Sequence, residues 1–241
     1  MRSATLAATL TRPAQAGYAR AFNDAFEDVF SLPATDTTEL LLIRHAKPDY
    51  DAASLNGDPF DLPLSKCGRW QAMRLATRLR NSNISAVYTS TMRQTLETAS
   101  VVAAARDLPM LRMRELRDIS VDLSSRNGSL PDPQRFSSDI VVRYLNNPRW
   151  NALPICEPSR RFRHRVVQAL ESIAAENQGQ RVAVVTHGSV INAYLSYVWG
   201  IARDMFFMPA YTSISAVQAS DRYAVQMLND ASHLSPGVAS I

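Results

Sequence analysis

The chain predicts an α/β fold, a three-layer α/β/α sandwich around a mostly parallel central sheet, on three observations. Two apolar runs far apart in the chain, Leu40-Leu41-Leu42-Ile43 and Val182-Ala183-Val184-Val185, read as strands covered on both faces. Around them, strand-like runs alternate with segments whose apolar residues recur at helical spacing, as in an alternating α/β chain. At 241 residues, with 46% hydrophobic and 20% charged, the chain can bury one large core.

The elements follow in order. Residues 1–13 read as a poorly ordered leader, and Tyr18, Ala21, Phe22, Ala25, Phe26 and Val29 then form an apolar helical stripe. A leader with an amphipathic helix is therefore expected at 1–38 and the main domain at 39–241. In its plainest reading the stripe packs on the domain surface; a homodimer contact or a lid over a cleft are the sharper readings, because aromatic residues favour interfaces. A strand at 39–44 leads through a polar loop containing Pro48, Asn56-Gly57 and Pro59 to a helix at about 65–80, with Ser65 as its N-cap. Next come a strand at 86–90, a helix at about 92–106 and a short strand near 110–114.

Residues 117–156 are expected as an insertion over the cleft, broken by Asn127-Gly128, Pro131, Pro133, Pro148 and Pro154 around one short helix near 136–146. Such insertions decide substrate choice in many α/β enzymes. Arg126, Arg135, Arg143, Arg149, Tyr144 and Trp150 in it suit a substrate with a second anionic group or a ring, or else form a solvated surface. A helix at about 159–177, a strand at 182–186, a helix at 189–199, a strand at 213–217 and an edge strand at 223–228 complete the layers.

The chemistry collects where the two apolar runs stop. They end at Arg44-His45-Ala46 and Thr186-His187-Gly188, and open α/β sheets place their chemistry at the carboxyl ends of strands. If the strands are neighbours, both imidazoles reach one cleft. One histidine after a strand is ordinarily structural. Of the four present (His45, His164, His187, His233), however, two occupy equivalent places, and the first follows Arg44, whose fork of donors suits a phosphate or carboxylate. The pair points to covalent phosphoryl chemistry on histidine.

Arg44-His45-Ala46 resembles the Arg-His-Gly signature of the histidine phosphatase superfamily, also called phosphoglycerate mutase-like, and Thr186-His187-Gly188 resembles its second histidine motif. Between them, Asp61-Leu62-Pro63-Leu64-Ser65 through Gly68, Gln71 and Ala72 is similar to the family's Asp-x-Pro-Leu-(Thr/Ser)-x-x-Gly-x-x-Gln-Ala segment. Val87-Tyr88-Thr89-Ser90 leading into Glu97-Thr98-Ala99 is similar to its third segment, and Met113-Arg114-Glu115 to the stretch bearing the catalytic acid. Glu157-Pro158-Ser159 with Phe162-Arg163-His164-Arg165-Val166 resembles a further helix start, so the likeness spans about 39–227.

The resemblance implies a phosphoglycerate mutase-like fold and a phosphatase acting on a small phosphorylated metabolite through phospho-His45. Arg44 and His187 would clamp the phosphoryl group, Glu115 would serve as acid and then base, and no metal or other cofactor is expected. Lys47, close to the nucleophile, is expected to contact substrate. The third motif departs from the family. Its second phosphate-binding arginine belongs four residues after Ser90, where this chain has Gln94, and an arginine stands one position earlier at Arg93. Neighbouring helical residues point about 100° apart. Either Arg93 still reaches the anion, or another cation replaces it, or the site is weak, since a neutral donor in place of a charged one costs a few kcal/mol, to order of magnitude. Ala46 stands for the usual glycine, and 116–122 lacks the glycine that often follows the acid.

Two other functions stay open at this point: a 2,3-bisphosphoglycerate-dependent phosphoglycerate mutase, although Lys47 to Gly57 lacks the mutase asparagine pattern, and a weakened phosphate-ester-binding member of the family. Composition trims the remaining classes. The net charge of +4 comes from dispersed arginines without a dense basic run, which argues against nucleic acid. No apolar run approaches the ~20 residues that span a bilayer. Cys67 and Cys156 have no metal-ligand spacing and read as reduced structural thiols of a cytoplasmic protein.

Overall fold

The computed structural model describes residues 12–30, 36–52, 58–122, 133–153 and 155–235. The elements are α1 (Arg12–Phe30), β1 (Thr38–Arg44), α2 (Lys66–Leu79), β2 (Ile84–Thr89), α3 (Arg93–Ala104), β3 (Met110–Arg112), α4 (Pro133–Asn146), α5 (Ser159–Glu176), β4 (Arg181–Thr186), α6 (Gly188–Val198), β5 (Ile214–Ala219) and β6 (Tyr223–Asp230). Helix α1 begins at Arg12, inside the stretch expected as leader, and residues 1–11 lie outside the described part. Of its stripe, Tyr18, Ala21, Phe22 and Ala25 are exposed, and the side chains of Phe26 and Val29 lie outside the described part. Of the insertion, 123–132 and residue 154 lie outside the described residues; α4 starts three residues earlier than expected.

One six-stranded sheet runs in the order β3-β2-β4-β1-β5-β6. β3, β2, β4 and β1 are parallel, β5 is antiparallel to β1, and β6 closes the edge antiparallel to β5. The pleat sorts the central strands between two cores. Leu40, Leu42, Val182 and Val184 meet Phe162, Val166, Leu170 and Ile173 of α5 and Ile191, Tyr194 and Leu195 of α6. Leu41, Ile43, Ala183 and Val185 meet Leu75, Ala76 and Leu79 of α2 and Ala99, Val102 and Ala103 of α3. This alternation makes three layers from one run of apolar residues. Each fully buried Leu, Ile or Phe contributes about 1.5–3 kcal/mol.

Helix α2 is pinned at its start. Ser65 caps it, accepting from Gly68 N at 3.0 Å, while Ser65 N donates to Lys47 O at 3.0 Å and Ser65 Oγ donates to it at 3.1 Å. Helix and strand-end loop are thus one unit. Gly68 lies so close to that loop that a Cβ would fall 2.1 Å from Lys47 O.

Candidate active site

Strand register builds the site. β1 and β4 are parallel neighbours with Ile43 opposite Val185 and Arg44 opposite Thr186, so the next residue of each, His45 and His187, emerges at the same sheet end. His45 N donates to Thr186 O at 2.9 Å, locking the exit. The two rings stand 5.2 Å apart, centroid to centroid, with planes inclined by 59°, and both are buried, His45 6% exposed and His187 0%.

A peptide carbonyl only accepts, so the 2.8 Å contact between His45 Nδ1 and Ala46 O places the proton on Nδ1 and leaves a lone pair on Nε2. Burial pushes His45 down to about 3, reinforced by His187 and Arg44 and opposed by the Ala46 carbonyl and Asp118. Burial likewise pushes His187 to about 3, followed by the positive charges of Arg117, Arg165 and Arg44. Both imidazoles are therefore neutral at pH 7, the form in which one can attack phosphorus. His187 Nε2 lies 3.0 Å from Ser90 Oγ, at the end of β2. Its Nδ1 has no hydrogen-bond partner and faces Asp118 Oδ2 at 3.6 Å.

The guanidinium of Arg44 lies 4.0 Å over the ring of Tyr211, and its Nη1 donates to Pro209 O at 2.6 Å, which leaves Nε buried and unpartnered. Tyr211 also packs on His45, centroids 5.8 Å apart, and its hydroxyl shares a 2.9 Å hydrogen bond with Tyr50. Burial and that bond push the Tyr50 phenol up to about 12. Next to Tyr211, Thr212 holds φ 59°, a left-handed conformation costing a β-branched residue on the order of 1–3 kcal/mol. That twist aims its N–H at the carbonyls of Arg44, 3.0 Å, and His45, 3.4 Å.

The contacts that the other expected site residues make are to groups other than the two histidines. Gln94 is buried at the start of α3, where its Nε2 donates to Phe60 O at 3.0 Å and its Oε1 has no partner. Arg93 turns along the helix to Glu97, Nε to Oε1 2.8 Å, while its backbone N donates to Asp61. It faces the carboxylate one turn on rather than the histidine pair. Lys47 is exposed, and what is fixed there is its backbone, whose N–H donates to Gln71 Oε1 at 2.9 Å. Glu115 sits exposed in a single 3-10 turn, Arg114–Leu116. Its backbone carbonyl accepts from Arg165 Nη1 at 2.6 Å. Its carboxylate has no hydrogen bond or ion pair among the described residues.

Four residues with no role assigned from the sequence take part. Asp118 faces His187; Ser90 bonds it; Tyr211 floors Arg44; Arg165 organises the loop after β3. Arg165 forms a fork on Glu157, closest contact 2.8 Å, and donates to the carbonyls of Glu115, Arg117 and Asp118. Ser90 ends a strand as the histidines do, which is a usable signal. Asp118, one of 22 acidic residues, and Tyr211, in an irregular loop, give none. Arg117 bridges Asp58, 3.1 Å, and Thr91 Oγ1, 3.3 Å. His233 is buried in a hydrogen bond with Thr212, His164 is exposed, and both cysteines are free, Cys67 exposed and Cys156 half-buried with its thiol pushed up to about 11 by burial. A cavity of about 920 Å³ opens beside Asp118, lined in part by Phe60, Met92, Glu115, Arg117 and Arg161.

A sheet that delivers two neutral, buried imidazoles and an arginine to one end is a phosphoryl-transfer scaffold by class. The chain matches the histidine phosphatase superfamily (branch 1) over residues 40–231, and it belongs to that family. It is 27% identical to phosphoglycerate mutase-like protein 4 of Arabidopsis thaliana over 213 residues, covering 86% of this chain and 92% of that one. It is also 27% identical, over 211 residues, to a metal-independent phosphoserine phosphatase of the same plant, covering 83% and 85%. Among solved structures, Bacillus stearothermophilus YhfR superposes with a TM-score of 0.67 at 28% identity, covering 81% of this chain and 98% of that one. Relatives thus include proteins named as phosphatases and as mutase-like proteins.

Proposed function

We propose that this protein is a phosphatase that hydrolyses a small phosphomonoester through a phosphohistidine on His45. The observation that carries the reading is His45 itself: buried, held neutral, and fixed by the Ala46 carbonyl in the tautomer whose Nε2 lone pair is available. Nε2 attacks phosphorus in line with the departing oxygen. His187 and Arg44 flank the phosphoryl group, where spread negative charge is stabilised electrostatically, and a carboxyl from the 115–118 loop handles the leaving-group proton. Water then discharges the phosphoenzyme; no step requires a metal. Similarity to a relative named as a metal-independent phosphoserine phosphatase supports hydrolysis as the outcome. Mutase activity is the alternative enzyme reading.

A second reading has its own observation. Gln94 offers an uncharged donor already engaged with Phe60 O, and Arg93 is engaged with Glu97, so the anion pocket lacks the family's second arginine. That favours a weakened member that binds phosphate esters and turns them over slowly.

Turnover of para-nitrophenyl phosphate between pH 5 and 8, with acid-labile phosphoprotein trapped by rapid quench and both abolished in His45→Ala, is the expected result. Ester binding without any phosphoenzyme supports the weakened reading instead, and bisphosphate-dependent exchange between phosphoglycerates supports the mutase.

A further inference from the structure

We propose that His233 and Asn229, at the end of β6 and in the turn that follows it, are positioning residues for phosphoryl transfer: they set the loop 209–213, and that loop sets Arg44 and His45. The proposal rests on the phosphatase reading and adds to it two residues that bond neither imidazole of the site.

One short loop holds Arg44 from three sides. Pro209 O accepts from Arg44 Nη1 at 2.6 Å, Ser213 O accepts from Arg44 N at 3.2 Å, and Thr212 N donates to Arg44 O at 3.0 Å. The same N–H lies 3.4 Å from His45 O, and the Tyr211 ring packs on both the guanidinium and the imidazole. Nucleophile and anion clamp therefore share one support. That support needs holding in its turn, because a β-branched residue at φ 59°, as Thr212 is, persists only where its surroundings over-determine it.

Those surroundings are the end of β6 and the 3-10 turn Ser232–Leu234. Thr212 Oγ1 lies 3.0 Å from Nε2 of the buried His233 and 2.7 Å from Tyr211 O. A carbonyl only accepts, so the single hydroxyl proton goes to Tyr211 O and the imidazole N–H donates to the hydroxyl. His233 Nδ1 then keeps its lone pair in a buried place, without a partner among the described residues. Asn229 Oδ1 accepts from Ala210 N at 2.7 Å, while Asn229, left-handed at φ 55°, donates its own N–H to Ser215 Oγ at 3.1 Å. Side chains from one turn thus fix the loop at Ala210 and at Thr212. Arg74 Nε donates to His233 O at 2.9 Å, which ties the turn to α2. Such a chain of contacts bears on the reaction as well as on the fold, since misplacing a reacting group by about 1 Å costs up to about 10²-fold in rate.

A rate constant, unlike a yield of product, does not change with the fraction folded, which supplies the test. Single-turnover release of dinitrophenolate from 2,4-dinitrophenyl phosphate is followed by stopped flow with enzyme in saturating excess, at a temperature below every variant's thermal transition. The native protein is compared with His233→Phe, His233→Gln, Thr212→Val, His233→Phe combined with Thr212→Val, and Asn229→Gly. His233→Phe, which has no N–H, is expected to lower the rate constant about tenfold or more, while His233→Gln, whose amide offers an N–H near the Nε2 position, should stay within about threefold of native. The combined variant should be no slower than the slower single one, since both changes break one hydrogen bond. Asn229→Gly keeps the left-handed backbone, removes the acceptor of Ala210 N and should also slow release, so the proposal stays testable should His233→Phe fail to fold. A native rate constant in either His233→Phe or Asn229→Gly, whatever its melting temperature, overturns the proposal and leaves the turn a support of the fold alone. So does a His233→Gln as slow as His233→Phe, or losses that multiply in the combined variant. A native protein that releases no dinitrophenolate and forms no acid-labile phosphoprotein overturns the phosphatase reading itself and the proposal with it, a result the variants cannot mimic.

Discussion

At the scale of single residues, Gln94 is where this site departs most from its family. It is 4% exposed, spends its NH₂ on the Phe60 carbonyl and buries an acceptor oxygen with no partner, a defect worth about 1–3 kcal/mol in ordinary cores. An arginine there has donors only, so it removes the orphan acceptor and puts a charge at the position where the family carries its second phosphate-binding arginine. Without an anion that charge is itself uncompensated. Gln94→Arg is therefore predicted to raise kcat/KM for phosphomonoesters by roughly tenfold or more. It should also lower the melting temperature of the free protein and give a larger vanadate-induced rise than the native chain shows. A variant with native kinetics and no added response to vanadate in a thermal melt would show that position 94 does not face the anion.

At the scale of elements, α2 and the loop after β1 are locked through the backbone of Lys47, and Gly68 is the contact that permits it. A methyl group at position 68 would sit 2.1 Å from Lys47 O and 3.0 Å from Lys47 C, so the loop must move. Lys47 lies only two residues beyond His45. Gly68→Ala is predicted to cost about 1–3 kcal/mol of stability and, unlike a remote core defect, to lower kcat in the fraction that remains folded. Urea midpoints and kcat measured together check this; native values for both would mean the helix is not tied to the nucleophile. The same element shows what the sequence made legible. Ser65 as a cap, the continuous apolar strands and the edge position of β6 could be read directly, because local chemistry dictates them. Arg93 was legible only in part: Glu97 stands four residues on, the spacing of a helical ion pair, but spacing alone does not say whether the guanidinium turns to that carboxylate or to an anion. Asp118 was hidden, since its place depends on Arg165, 47 residues away, gathering three carbonyls of its loop.

At the scale of the whole molecule, the meeting of His45 and His187, 142 residues apart, follows from strand order, with β4 inserted between β1 and β2. The cost of that architecture is two imidazoles sealed in the sheet's end, and it has a measurable sign. Their native values, about 3, lie below the unfolded value of 6.5. Above pH 6.5 neither state binds the protons, and stability from this source is complete. Between pH 6.5 and about 3 the unfolded chain binds protons that the native one refuses, so stability falls as pH falls. Each histidine contributes a slope of up to about 1.4 kcal/mol per pH unit, roughly doubled for the pair. His233, also lowered chiefly by burial, acts in the same direction. Urea midpoints are thus predicted to be level from pH 8 to 7 and to drop steeply from 6 to 4.5, with a shallower acid limb in His45→Gln, which has nothing to titrate at that position. Loss of activity on the acid side should then track the unfolded fraction rather than an imidazole of ordinary basicity. A midpoint that stays level down to pH 4.5 would place the two rings in water instead of in the sheet.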